Sequence, residues 1–191
     1  MTPENLFVQR LGPGLDRGGP VRLRPLLPDD LGERYAAWFR DEQVTRFLEA
    51  RGISAVDALR HLMDGFLSEA WFMYAIEQPQ PQPRHVGNLK IGPINRRHAT
   101  AEISIVIGER DCWGRGAATE AVRLGTALAF GHFGLRKLYA GMVEGNEGSV
   151  RAFVKAGWRV EAQLPGAFIH EGVVKGKTVV SIDNPAFVLG G

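Results

Sequence analysis

The sequence predicts an α/β fold of the α+β kind, a single domain on a mixed, mostly antiparallel sheet of about seven strands with helices on both faces. Three observations carry that prediction. Apolar runs of strand length recur along the chain, stretches with helical periodicity and recognisable ends separate several of them, and three strand-like runs follow one another mid-chain with no helix between. With 191 residues and 45% hydrophobic content the chain can close one sizeable core, and nothing in its length demands a second domain.

Residues 1–20 (MTPENLFVQRLGPGLDRGGP) are expected to be a flexible leader, because Gly12, Gly14, Gly18, Gly19 and Pro20 resist regular structure; the domain is expected over 21–191. Residues 21–26 (VRLRPL) alternate apolar and basic side chains, as a strand with one wet face does. Pro28-Asp29-Asp30 offers a cap and turn before a helix over 31–39, with Leu31, Tyr35 and Trp38 on one stripe. A short helix carrying Val44, Phe47 and Leu48 follows. A longer amphipathic helix spans 54–69, where Val56, Leu59, Leu62, Met63 and Phe66 recur at threes and fours.

Strand-like runs at 71–77 and 84–94 bracket QPQPQP at 78–83 and read as a hairpin with a long loop. After a turn at 95–99 a third strand begins at Ala101. Residues 116–132 are helical, with Ala121, Leu124 and Leu128 facing inward and Gly131 and Gly134 ending the helix. KLYAGMV at 137–143 has the length and apolarity of a buried strand. A compact helix spans 149–156, with Ser149 as N-cap, Phe153 and Val154 on its buried side and Gly157 as its left-handed stop. Residues 158–164 and 168–182 close the chain as two more strands.

Composition narrows the partners. A formal net charge of +2 makes no strong field for nucleic acid or an anionic membrane. The lone Cys112 excludes an internal disulfide framework and a cysteine metal cluster, and no metal site is expected. No apolar run approaches the roughly 20 residues that span a bilayer, and the first residues lack the apolar core of a secretory signal. A reducing, cytoplasmic setting is expected.

Residues 101–119 (AEISIVIGERDCWGRGAAT) run from an alternating strand through a glycine turn into a helix start. Gly114 and Gly116 let the backbone turn and approach a ligand with no Cβ in the way, and the first-turn N–H groups of the helix, at its positive end, suit a pyrophosphate. A plain tight connection has the same local form.

With that turn in place, four segments together resemble the GNAT superfamily of acyl-CoA-dependent N-acetyltransferases, in its RimJ/RimL-like branch. They are WFRDEQVTRFLEAR at 38–51, HVGNLKIGPIN at 85–95, AEISIVIGERDCWGRGAATEA at 101–121 and NEGSVRAFVKAGW at 146–158, and the likeness runs from about 21 to 182. The resemblance implies splayed central strands, with acetyl-CoA as co-substrate where the fourth and fifth part. It implies that backbone groups of Ile105, Val106 and Ile107 pair with the pantetheine arm. It also implies that N–H groups of Trp113, Gly114, Arg115, Gly116, Ala117 and Ala118 hold the pyrophosphate. Asn146 and the helix over 149–155, with Ser149, Phe153 and Lys155, are then expected against the cofactor's distal part. Asp111 departs from the family's pattern, which has Gln or Arg there; Arg110 and Arg115 are candidates to supply the charge.

Acetyl transfer asks for an amine freed of its proton, a stabilised oxyanion and a protonated leaving thiolate. Strand alternation sets Glu102 with Ser104 on the face opposite Ala101, Ile103, Ile105 and Ile107, so Glu102 is the candidate general base, working through a water; a cross-strand salt-bridge partner is the competing reading. Many relatives carry a tyrosine where this chain has Phe153, which cannot donate a proton. Ser149 is the nearest hydroxyl for the thiolate, with an N-cap role as its alternative, and water can serve instead.

Asn88, Lys90, Asn95 and His98 are expected to line the acceptor pocket, and Cys112 to pack rather than react. The acceptor is expected to be a protein N-terminus or a small amine such as an amino sugar, with polyamines and antibiotics open, and a homodimer is open too. Two other classes compete. A catalytically weak acyl-CoA-binding sensor is favoured by Phe153. A dinucleotide-dependent oxidoreductase is disfavoured because Thr119 stands where GxGxxG needs its third glycine.

Overall fold

The computed structural model describes residues 3–12, 14–49 and 51–188. Seven strands form one sheet in the order β1-β2-β3-β4-β5-β7-β6. They are β1 (Arg22–Pro25), β2 (Phe72–Gln78), β3 (Arg84–Asn95), β4 (Thr100–Ile107), β5 (Lys137–Val143), β6 (Arg159–His170) and β7 (Val173–Asp183). Every neighbouring pair is antiparallel except β4 and β5. That pair is parallel because its connection contains a crossover helix, α5 (Ala117–Gly131), which returns the chain to the same end of the sheet.

β4 and β5 pair only at Thr100↔Lys137, Ala101↔Leu138 and Glu102↔Tyr139. Beyond Glu102 the two strands part. β4 stays paired with β3 as far as Gly87↔Ile107, and β5 with β7 as far as Val143↔Lys177, so each keeps one free edge facing the other. The sheet is covered on both faces, since consecutive residues of β2 from Phe72 to Glu77 are all buried. α5 lies close on it: a Cβ at Gly125 would fall 2.6 Å from Leu89 Cδ1.

The remaining helices are α1 (Pro3–Leu11), α2 (Glu33–Trp38), α3 (Glu42–Thr45), α4 (Ala55–Ser68) and α6 (Glu147–Lys155). Among the described residues no helix is long and apolar enough to cross a membrane.

Four expectations need correction. Residues 3–11 are helix, not flexible leader: Phe7 and Leu11, four apart, are buried, the Phe7 ring stacks on Phe66 at 4.3 Å, and the Tyr74 hydroxyl donates to Leu11 O at 2.8 Å. The glycines that suggested disorder lie behind the helix, and Leu15 there bridges to Leu23. The helix expected over 31–39 is shorter: α2 begins at Glu33 with Gly32 as its N-cap, after the turn expected at 28–30 closes as a single 3-10 turn in which the Asp30 carboxylate accepts from Leu27 N at 2.8 Å.

α6 starts at Glu147, and Asn146 rather than Ser149 caps it by accepting from Ser149 N at 3.3 Å. Finally, Pro165-Gly166-Ala167 does not separate the last two strands. It is a bulge inside β6, where the register jumps from Leu164↔Lys177 to Phe168↔Lys175. The reversal comes at Glu171 and Gly172, whose φ of 52° and 74° supply the consecutive left-handed residues of a two-residue hairpin turn.

Candidate active site

The parting of β4 from β5 opens a cleft with two connected chambers. The larger, about 1080 Å³, lies under the glycine turn and is lined by Ile105, Val106, Ile107, Trp113, Gly114, Gly116, Ala117, Ala118, Asn146, Ser149 and Lys155. Gly114 and Gly116 have φ of 71° and 85°, and a Cβ on either would meet nothing within 4 Å. Glycine is therefore required by the left-handed backbone and not by crowding, and the space before the turn is open. Gly116 is the N-cap of α5, so the unpaired N–H groups of a 15-residue helix open onto that space. The Trp113 indole donates to Ile107 O at 2.8 Å and ties the turn to the end of β4.

Four basic side chains rim this chamber: Arg46, Arg123, Arg151 and Lys155. Arg115 does not line it. Asp111, the departure from the family pattern, is answered by Arg84, whose Nη2 donates to Asp111 Oδ2 at 2.7 Å and holds that carboxyl below the usual range. Arg110 lies 3.6 Å from Asp41. Cys112 is buried beside Arg84, and burial pushes its thiol up, so it packs rather than reacts.

The smaller chamber, about 530 Å³, shares Phe47, Leu48, Ile105, Val106, Asn146 and Ser149 with the first. Its floor is the sheet: Asn88 and Lys90 from β3, Glu102 and Ser104 from β4. Tyr35, Phe39 and Phe47 wall it, and Phe168, His170 and Lys177 reach in from the β6–β7 hairpin. The hairpin tip is tied across the mouth, with His170 Nε2 donating to Arg46 O at 2.7 Å and Arg51 to Glu171 at 2.7 Å. Burial pushes the Tyr35 hydroxyl up to about 12, so it is a neutral donor at physiological pH.

Alternation along β4 leaves Glu102 and Ser104 exposed and Ala101 and Ile103 buried. Among the described residues Glu102 enters no ion pair, so the salt-bridge reading finds no partner. Its charge nonetheless reaches Lys90: burial lowers that ammonium's pKa, and Glu102 opposes the lowering without reversing it.

Ser149 sits where the chambers meet. Only its backbone N–H serves the cap, which leaves the hydroxyl uncommitted. Phe153 is 1% exposed, packs edge-on to Trp158 at 4.8 Å and presents its other side to the smaller chamber.

Asn95 and His98 line neither chamber. They occupy the turn between β3 and β4, where Asn95 Oδ1 accepts from His98 N at 3.0 Å and Arg136 donates to His98 O at 2.8 Å. That turn is at the end where β4 and β5 still pair, whereas the cleft opens at the other end, which is why these two residues stand apart from Asn88 and Lys90.

Reading along the chain missed Tyr35, Arg46, Arg123, His170 and Lys177. Arg151 and Lys155, one turn apart on α6, carried a usable signal; His170 and Lys177 reach the cleft only through the hairpin's return across the sheet.

A sequence model of the Acetyltransferase (GNAT) domain matches residues 21–159. The spermidine N(1)-acetyltransferase of Escherichia coli (strain K12) is 30% identical over 156 residues, 80% of each chain. Among solved structures, the spermidine N-acetyltransferase from Vibrio cholerae in complex with CoA and spermine superposes with a TM-score of 0.76 at 19% identity, covering 86% of this chain and 95% of that one. Mycobacterium smegmatis RimJ in complex with CoA-disulfide gives 0.71 at 21% identity, covering 85% and 81%. At such identities the structural matches speak for the fold.

Proposed function

Since the chain belongs to the acetyltransferase (GNAT) domain family, we propose that it moves the acetyl group of acetyl-CoA to a primary amine by direct attack in a ternary complex. One observation carries the reading: β4 leaves β5 after Glu102↔Tyr139, so Ile105 and Val106 lie at the junction of the two chambers with no strand paired on that side, and Ile107 follows in the larger one with its carbonyl held by the Trp113 indole. A pantetheine arm, with its two amides, has the chemistry to pair with such an edge as a strand would.

The open glycine turn, the α5 N-terminus and the basic rim suit the phosphates, with Trp113, Gly114, Gly116, Ala117 and Ala118 as the backbone of that cradle. Asn146, Ser149 and Lys155 then flank the cofactor from α6.

In this reading the amine reaches the smaller chamber as an ammonium ion and loses a proton to Glu102 through a water. The free N–H groups of β4 face the oxygen on which negative charge develops, and the Ser149 hydroxyl gives its proton to the departing thiolate. The hairpin tie across the mouth favours a small amine over a protein N-terminus. The lone thiol fits a reducing, cytoplasmic setting. A second copy of the chain suits the outer side of β6, an edge strand of 12 residues with Val160 and Leu164 exposed.

Calorimetry with acetyl-CoA and a thiol-release assay over an amine panel test the proposal together. Saturable heat with release of free thiol is expected. No heat at millimolar acetyl-CoA overturns it, and binding without transfer to any amine supports the sensor reading that Phe153 favours.

A further inference from the structure

Two donors at the floor of the smaller chamber have no acceptor among the described residues. Asn88 and Lys90, two apart on β3, share the face that Val106 and Ser104 present opposite them. Asn88 is 4% exposed. His85 Nε2 lies 2.9 Å from Gly87 O and 2.8 Å from Asn88 Oδ1. A backbone carbonyl only accepts, so Nε2 carries the proton, and Asn88 must offer it oxygen. The amide is thereby fixed with its NH₂ turned away from His85, and this Nδ2 is buried with no protein acceptor among the described residues.

The neighbouring Lys90 ammonium has no carboxylate within 4.0 Å among those residues, while Lys177 brings a second ammonium to the same chamber. Burial works against the charge on Lys90, and an anion brought beside it would restore what burial takes.

We infer that the acceptor is a compact primary amine that also carries an anionic oxygen group, above all a carboxylate, held by the Asn88 amide and the Lys90 ammonium while its nitrogen lies over β4 beside Glu102. This rests on the acetyltransferase reading and names its substrate class. Adjacent strands are about 4.8 Å apart, so nitrogen and anionic oxygen are separated by only a few bonds. A linear polyamine could set ammonium groups against Glu102 and Glu49, which also line the chamber, but it brings no acceptor for Asn88 or Lys90. His85 is a positioning residue: it acts through the amide it orients.

The test compares amines close in basicity that differ by the carboxylate alone, β-alanine against ethylamine and γ-aminobutyrate against propylamine, with spermidine alongside, by thiol release at saturating acetyl-CoA. Each amino acid is expected to exceed its alkylamine and spermidine in kcat/KM by about tenfold or more, mainly through KM, the effect of a single hydrogen bond to a charged group. Lys90→Met and Asn88→Leu should each pull that ratio toward one, and His85→Phe should lower it with Asn88 still present. Calorimetry of β-alanine and ethylamine on the CoA-saturated protein reads the same preference without turnover.

The wild-type comparison needs no variant, and Lys90→Met, at a half-buried side chain, carries the mutational arm if Asn88→Leu does not fold. Alkylamines or spermidine equal to the amino acids, or a preference that survives Lys90→Met, overturns the inference alone. Absence of heat from acetyl-CoA together with absence of acetylation overturns the acetyltransferase reading, and the inference with it.

Discussion

Glu102 is exposed between two buried neighbours on β4, so its carboxylate stays open to water on the floor of the smaller chamber. Glu102→Gln is expected to lower kcat at neutral pH by about 10²–10⁴-fold while calorimetry finds acetyl-CoA affinity unchanged; an unchanged rate would remove Glu102 from the role. Asp30 illustrates a structural carboxylate. Burial alone would raise its pKa, but two hydrogen bonds from Arg24 at 2.7 Å and one from Leu27 N hold it below the usual range, and Glu77 is held down against burial by Arg24 and Arg22. Burial likewise lowers His85. Groups depressed in the folded state are more readily protonated in the unfolded chain, so their stabilisation is complete at neutral pH and is lost on acidification. His85 loses its share as pH falls below about 6.5 and the carboxylates theirs below about 4. Urea unfolding across pH should show that decline, and Asp30→Asn should cost about 3 kcal/mol at pH 7 by leaving Arg24 half-buried with one partner fewer. Alternation revealed the exposure of Glu102, but Arg24, Asp30 and Glu77 meet across two strands and a turn, and no local pattern announces that.

Elements were legible where their signals are local. β5 begins and ends at the residues its apolar run suggested, and α5 within a residue of its glycine limits. The cradle depends on one backbone conformation: Gly116→Val must adopt a left-handed φ, at a cost of about 1–2 kcal/mol. Its expected outcome is a lower urea midpoint and weaker acetyl-CoA binding by calorimetry, since nothing crowds a side chain there. α1 is hidden in the sequence because the glycines and prolines that follow it outweigh the i, i+4 pair Phe7 and Leu11. Its packing makes Phe7→Ala an expected loss of about 3 kcal/mol, measurable by the same unfolding experiment; a wild-type midpoint would mean that α1 adds nothing to the core. The last hairpin was displaced for a related reason. Pro-Gly is strong turn chemistry, yet pairing on both sides of it absorbed the three residues as a bulge and left the reversal to Glu171-Gly172.

For the whole molecule, the proposed pairing of two copies along the outer edge of β6 is open to test. Sedimentation equilibrium is expected to find a dimer, and Val160→Asp to shift it to monomer with acetyl-CoA binding retained; a wild-type monomer would refute that pairing. Inside the molecule, the sequence by itself determined the element types, their order, the glycine turn before α5 and the alternation that exposes Glu102. Each of these follows from backbone conformations and side-chain periods set within a few residues. Only the tertiary structure decided how far β4 runs before leaving β5, that Ser149 and Glu102 line one chamber, that Arg84 answers Asp111, that His170 and Lys177 return over the cleft, and that His85 turns the Asn88 amide. Those outcomes depend on strand register and on where a crossover helix sets its strand down, which are contacts between residues far apart in the chain.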